Sequence, residues 1–287
     1  MKHIGLVLSG GMGKGAYQIG ALEAINEIFK PTDFEYVSAA SIGALNAYAY
    51  LTNGLENAKN IWKSVNFKSS KSLITSVLKS DFLPKVIKEI IVDKEIIPTF
   101  YVPLLNATDK LLTYFDFSTL AYEELEIYLN ASIALPVYCK SVNIKGKAFY
   151  DGAFVDNIPV YPVLKNNLDY VICIYFDDYN YIFEDYSNEH KIIKLTFPDD
   201  KFIKNSVQIK KDSIALMMRS GYDRTKDVLD EIFINGIDDL EHIYKQIRKR
   251  NEKECSKNMR ITGDVITTNM NKVVKKLLKK RPTFEEH

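Results

Sequence analysis

Ser41 stands in the run VSAASIGALNA, Val37 to Ala47, with Ala39, Ala40, Gly43 and Ala44 crowded around it. A serine hydroxyl can attack a carbonyl when the chain presents it. A tight turn from strand to helix does that: the backbone folds back on itself, small neighbours make room, and the hydroxyl is pushed outward. The pattern is GxSxG with Ala39 in place of the first Gly. A helix beginning just behind the serine favours negative charge developing there. An ordinary buried Ser at a strand–helix junction would carry the same residues, so the chemistry also requires a base and a place for the oxyanion.

Ser9-Gly10-Gly11-Met12-Gly13-Lys14-Gly15 is the densest glycine cluster in the chain. It follows the apolar run Ile4 to Leu8, which suits a buried parallel strand. After it, Ala16, Ile19, Leu22, Ala24, Ile25 and Ile28 approximate helical spacing. Such a loop exposes backbone N–H groups at a helix N-terminus and makes an anion site. The P-loop pattern GxxxxGK[ST] fails here, because Gly15 follows Lys14 and Leu8 holds the leading position. A dinucleotide loop GxGxxG/A is met loosely by Gly11, Gly13 and Ala16, with Asp33 or Glu35 as the ribose acid; that reading is a nucleotide-binding oxidoreductase. An oxyanion hole is the third reading and the one that also uses Ser41. A tight turn without a ligand is the fourth.

A serine needs a base within hydrogen-bond reach. Of the four histidines, His3 precedes the first strand, His287 is the last residue and His242 lies in a charged stretch. His190 is in the position that a Ser…Asp…His order would need, but SNEHK around it offers nothing to bury or orient an imidazole. A desolvated carboxylate, its pKa raised, can take the proton instead. Asp151, in a glycine turn between Tyr150 and Phe154, is the best such acid. Asp156 is the alternative, although beside Asn157 it could equally hold the loop by side-chain to backbone bonds.

Three separated blocks, GLVLSGGMGKGAYQIGAL, VSAASIGALNA and YDGAFVDNIPV, together resemble the patatin-like phospholipases, a family of serine acyl hydrolases with a Ser–Asp dyad. Softer echoes are Asn106-Ala107-Thr108 and ASIALP, Ala131 to Pro136; the likeness spans roughly Ile4 to Tyr161. The resemblance implies an α/β three-layer sandwich whose central, mostly parallel sheet is flanked by helices. It implies Ser41 as nucleophile, Asp151 as base, and the N–H groups of Gly10, Gly11, Met12 and Gly13 as oxyanion hole. Lys14, Gly43 and Gly152 would support them. No metal and no organic cofactor are implied, and the substrate would be a phospholipid or another acyl ester. Ser9 stands where Gly is common, and Lys14 replaces an Arg, keeping the charge but losing the planar fork. Ala153 replaces a second Gly. None of these departures removes a reacting group. A catalytically silent lipid-binding module remains the rival from another class.

The remaining elements must position these groups. With 287 residues, 46% of them hydrophobic, the chain can build one large α/β core. Residues 1–205 read as the catalytic domain. Within it, 54–98 is an amphipathic helical segment placed to cover one sheet edge or to act as a lid. Residues 99–107 and 110–117 read as two strands joined by a polar turn, 125–135 as a helix stopping before Pro136, and 142–149 as a hairpin turning at Lys145-Gly146. Residues 171–176 and 192–197 read as further strands, with 177–189 a surface excursion. Residues 206–287 read as a helical region packed on the domain. Its tail carries 13 basic against 4 acidic residues between Glu241 and Arg281, with an apolar stripe from Met270 to Leu278; such a helix suits peripheral contact with anionic lipid. A net charge of +1 argues against nucleic acid as partner. Three cysteines without CxxC spacing read as free thiols, and the apolar N-terminal run is too short for a signal peptide, so a cytoplasmic location is expected. The sequence leaves the oligomeric state open.

Overall fold

The computed structural model describes residues 2–64, 82–136, 138–176, 186–197, 211–258 and 283–284. In chain order its strands are β1 Ile4–Leu8, β2 Phe34–Ala39, β3 Thr99–Asn106, β4 Leu111–Asp116, β5 Val142–Ile144, β6 Lys147–Asp151, β7 Tyr170–Phe176, β8 Ile192–Phe197 and β9 Thr283–Phe284. The α-helices are α1 Gly15–Ile28, α2 Ile42–Leu51, α3 Leu55–Ser64, α4 Phe82–Ile90, α5 Tyr122–Ser132, α6 Tyr161–Leu164, α7 Lys211–Ile232 and α8 Leu240–Asn258.

Among the described residues all nine strands join one sheet in the order β5-β6-β3-β2-β1-β7-β8, with β4 on β3 and β9 on β4. The middle of the sheet is parallel: β3 with β2, β2 with β1, β1 with β7, β7 with β8. Strands buried on both faces read as continuous apolar runs. IGLVL in β1 and YVICIYF in β7 do, and both are buried along their whole length. Each fully buried Leu, Ile or Val here contributes about 1.5–3 kcal/mol relative to its exposed state. The antiparallel end is built from β3 with β4, β3 with β6, and the β5–β6 hairpin. That hairpin turns at Lys145 and Gly146, both at positive φ (50° and 82°), the geometry a two-residue loop needs to match strand twist.

The two faces are covered unequally. One core joins α1, α2, α3, α4, α5, α7 and α8 to the sheet through residues such as Leu6, Ile19, Leu45, Phe100, Leu129, Ile214 and Ile243. The other face is closed by the segment from Ile158 to Leu168, which includes the single turn α6 and packs on Val7, Val171, Cys173 and Ile192. Among the described residues, α7 crosses α1 with the backbones in close approach. A Cβ on Gly20 would lie 1.8 Å from the Met218 carbonyl oxygen, and one on Gly221 2.1 Å from that of Tyr17. The helix expected at 125–135 instead runs from Tyr122 to Ser132, because Glu123 and Glu124 occupy its first turn, where carboxylates offset the exposed N–H groups. In the amphipathic segment 54–98, α3 and α4 are helical as expected, while 65–81 falls outside the described residues. So do the acidic stretch 177–185 and the basic stripe around Met270 to Leu278. Among the described residues no helix is long and apolar enough to cross a membrane.

One detail of register decides where the chemistry can sit. β4 runs along one edge of β3 from Tyr101 to Asn106. On the other edge, β2 pairs with the first half, Ser38 opposite Tyr101, and β6 with the second half, Asp151 opposite Leu104. β2 runs up that edge and β6 runs down it, so their ends meet. The two registers are three residue steps apart along β3, with Val102 and Pro103 between them, about 10 Å at the strand rise. Ala39 ends β2 opposite Leu8, and Ala40 and Ser41 turn out of the sheet after it.

Candidate active site

Ser41 is the N-cap of α2 and is held at φ 54°, ψ −130°. A non-glycine residue at that φ is strained by about 1–3 kcal/mol and persists only where its surroundings fix it. Ala40 N–H donates to the Leu8 carbonyl, and Gly43 N–H to that of Ala40. A Cβ on Gly43 would come within 2.5 Å of the Ser9 carbonyl oxygen, so glycine is required where the elbow passes the glycine loop. A serine at an N-cap ordinarily spends its hydroxyl on its own helix. Ser41 makes no such bond.

Asp151 ends β6 and is wholly buried. Its N–H donates to the Ala134 carbonyl, within the ASIALP segment, and its Oδ1 accepts from Ala153 N–H at 2.8 Å. Burial pushes its carboxyl up to about 7; the Ser41 side chain and the Ala153 N–H pull against that rise. Oδ2 lies outside strict hydrogen-bond geometry with any partner. The Ser41 side chain thus bears on the carboxyl without meeting strict hydrogen-bond geometry with Oδ2. Asp156, the alternative base, accepts from the Tyr114 hydroxyl at 2.5 Å and is only half-buried. Its carboxylate braces the loop after Asp151.

The glycine loop closes the third side. Gly10 lies between Ser41 and the residues that follow Asp151: a Cβ on it would meet Asn157 Oδ1 at 2.4 Å, Ser41 Cβ at 3.0 Å and Ala153 Cβ at 3.3 Å. The expectation that Gly10 supplies an oxyanion donor needs correction, because its N–H is spent on the Asn157 carbonyl at 3.1 Å. Asn157 Nδ2 in turn donates to the Gly10 carbonyl. The next three residues open a 3-10 turn, Met12–Lys14, in which Lys14 N–H bonds the Gly11 carbonyl and Gly15 N–H bonds Gly13 and Met12 carbonyls. Gly11, Met12 and Gly13 thus occupy the start of a helical turn, where N–H groups have no partner within the helix. Met12 adopts φ 50°, a left-handed conformation unusual for its side chain, which bends the loop at this point. Lys14 is buried, with Nζ 5.9 Å from the centre of the Phe176 ring. Gly152 passes under β3, where a Cβ would meet the Pro103 carbonyl oxygen at 2.3 Å.

The structure thus brings Ser41, Asp151 and the glycine loop close to one another. Among the described residues it leaves the histidines elsewhere: His3 pairs with Glu35, His190 packs edge-on against Tyr244, and His242 lies beside Gln246. The two acids that a dinucleotide site would need are engaged with their own surroundings, Asp33 with Lys30 N–H and Glu35 with His3. Among the described residues no cluster of three His, Cys, Asp or Glu could hold a metal ion. Sequence reasoning missed Asn157 as the residue that clamps Gly10, and Tyr114 as partner of Asp156. It also missed the buried polar pair Gln18 and Asn46. Gln18 Nε2 donates to the Ser9 carbonyl at 2.7 Å, and Asn46 Nδ2 donates to Gln18 Oε1 at 2.9 Å. The signal for that pair was present: each is one amide within an otherwise apolar helical run, GAYQIGAL and GALNAYAY.

An α/β sheet that carries a serine elbow, a glycine loop and a buried aspartate at neighbouring strand ends defines a class, and comparison with known proteins agrees with it. The family model for patatin-like phospholipase matches residues 6–164, more than half of the chain, and the chain belongs to that family. A curated relative, lysophospholipase NTE1 of Cryptococcus neoformans var. neoformans serotype D, is 27% identical over 184 residues, which is 60% of this chain and 11% of that protein. The chain therefore spans about a tenth of the length of the curated relative it matches. Among solved structures, VipD from Legionella pneumophila superposes with a TM-score of 0.50 at 15% identity, covering 97% of this chain and 80% of that one, which is a likeness of fold.

Proposed function

We propose that the chain is a lipid acyl hydrolase working through a Ser41 acyl-enzyme with Asp151 as base. One observation carries the reading. Ser41 is held in a strained turn with its hydroxyl withheld from its own helix, next to a buried aspartate whose pKa is pushed to about 7. Asp151 ionises near neutrality and takes the Oγ proton as Oγ bonds to the ester carbonyl carbon. The carbonyl electron pair moves to oxygen, and the N–H groups of Gly11, Met12 and Gly13 hold that charge; donors of this kind are worth about 10²–10³ each in rate. Protonated Asp151 returns the proton to the leaving alcohol as the C–O bond breaks. Water then enters, gives a proton to Asp151 and attacks the acyl carbon; the fatty acid leaves and Ser41 Oγ regains its proton. Family membership supports a lipid ester as substrate.

A fluorophosphonate probe is expected to label Ser41 in the wild-type chain and leave Ser41→Ala unlabelled. Wild type should hydrolyse short p-nitrophenyl esters or phospholipid vesicles, and Ser41→Ala neither. Labelling at another serine with Ser41 untouched would overturn the assignment. Vesicle binding with no turnover of any ester would replace it with a silent lipid-binding module.

A further inference from the structure

Four buried groups form a directed chain of hydrogen bonds behind the glycine loop. Trp62 Nε1, in the last turn of α3, donates to Asn46 Oδ1 at 3.0 Å. Asn46 Nδ2 donates to the Gly15 carbonyl at 3.0 Å and to Gln18 Oε1 at 2.9 Å. Gln18 Nε2 donates to the Ser9 carbonyl at 2.7 Å. Ser9, Gln18 and Asn46 are all within 2% of complete burial. The amide orientations are fixed by the partners: a reversed Asn46 would set its NH₂ against the indole N–H and its oxygen against the Gly15 carbonyl. Buried amides are costly unless bonded, so an apolar pair of helices keeps them only where they satisfy something.

What they satisfy is the peptide unit that begins the loop. The Ser9 carbonyl is held by Gln18, and the N–H of the same peptide, that of Gly10, is held by the Asn157 carbonyl. A peptide plane clamped at both ends cannot rotate, and its orientation sets where the following three N–H groups point. We infer that Gln18 and Asn46 are positioning residues for the oxyanion donors, with Trp62 as the fixed end of the chain that holds them. The inference rests on the Ser41 acyl-enzyme reading. Such a network, fully satisfied, selects a single geometry more firmly than apolar packing does. Misplacement of a catalytic group by about 1 Å costs on the order of 10²-fold.

The test compares wild type with Gln18→Met, which keeps length and removes the donor, and with Trp62→Phe, which keeps a ring and removes the far N–H. Rates are measured on a p-nitrophenyl ester and normalised to folded protein by circular dichroism. Gln18→Met is expected to lower kcat by about 10- to 100-fold with KM within about threefold, and to slow fluorophosphonate labelling of Ser41 in parallel. The acidic limb of the pH profile, set by Asp151, should stay in place. Trp62→Phe should show the same pattern at smaller size. A role in stability alone predicts a lower Tm with kcat per folded molecule unchanged, and that result overturns the inference; so does a shifted acidic limb. If Gln18→Met does not fold, wild-type kcat in Trp62→Phe overturns it. Absence of Ser41 labelling in the wild type removes the underlying site reading and the inference with it.

Discussion

Asp151→Asn is expected to stop turnover and, at the same time, to stabilise the fold above neutral pH. Burial raises the folded carboxyl from 3.8 to about 7. Between those values the folded chain holds a proton that the unfolded chain has released, so stability falls as pH rises through the window. Above pH 7 the full penalty is present: about 3 units at 1.36 kcal/mol each, or about 4 kcal/mol as an upper bound. At pH 5 it is smaller, on the order of 1–2 kcal/mol on the same arithmetic. Asparagine carries no charge to desolvate. Its Oδ1 can keep the Ala153 N–H, and its NH₂ takes the place of an oxygen that has no partner in strict geometry. Unfolding entropy near 2.1 cal/mol/K per residue over 287 residues gives about 1.7 °C per kcal/mol. The Tm of the variant should therefore exceed that of wild type by up to about 7 °C at pH 8, with a gap about 4 °C smaller at pH 5. Thermal unfolding followed by circular dichroism at both pH values measures it. A gap that does not widen from pH 5 to pH 8, or a variant less stable than wild type at pH 8, would refute the assignment of Asp151 as a buried acid under desolvation strain.

The same ionisation should appear in catalysis: kcat/KM on a soluble ester is expected to rise with pH through an apparent pKa near 7 and to fall away below it, read from a pH–rate profile. Gly43→Ala places a Cβ 2.5 Å from the Ser9 carbonyl oxygen, so it should displace the loop and lower kcat by about tenfold or more in ester assays. Gly20→Ala meets the Met218 carbonyl oxygen at 1.8 Å and should cost at least about 1–3 kcal/mol by separating α1 from α7, measured as a lower denaturation midpoint in urea. Asn157→Ala removes one of two bonds to Gly10 and leaves the other; a fall in kcat of about two- to tenfold, with little change in Tm, is expected from steady-state kinetics.

Much of this architecture was legible in the chain because its signals are local. IGLVL and YVICIYF announce buried parallel strands by composition, and Lys145-Gly146 announces a two-residue turn. Ser41 and the glycine loop are legible for the same reason, since a tight turn restricts its neighbours to small residues. What the sequence could not give is pairing between distant segments. Gly10 reads as a donor because nothing local shows that the Asn157 carbonyl, just over half a chain away, takes its N–H. Gln18 and Asn46 lie on separate helices, and the bond between them exists only after packing.

The choice between Asp151 and Asp156 shows where such limits matter. Both acids lie in YDGAFVDNIPV, and no spacing rule separates them. The sheet separates them by register. Asp151 is the residue at which β6 stops opposite Leu104, on the β3 edge that β2 vacates after Ser38 and Tyr101. Asp151 is wholly buried there, so the acid loses its hydration and its carboxyl is pushed up to about 7, the range that the proposed base requires. Asp156 lies past the turn, half-buried, with the Tyr114 hydroxyl on its carboxylate. An acid already holding a donor from β4 suits bracing the loop, and the bracing reaches the site through its neighbour Asn157. Two strands that end head to head on one edge of a third thus turn a pair of similar residues into different chemical groups.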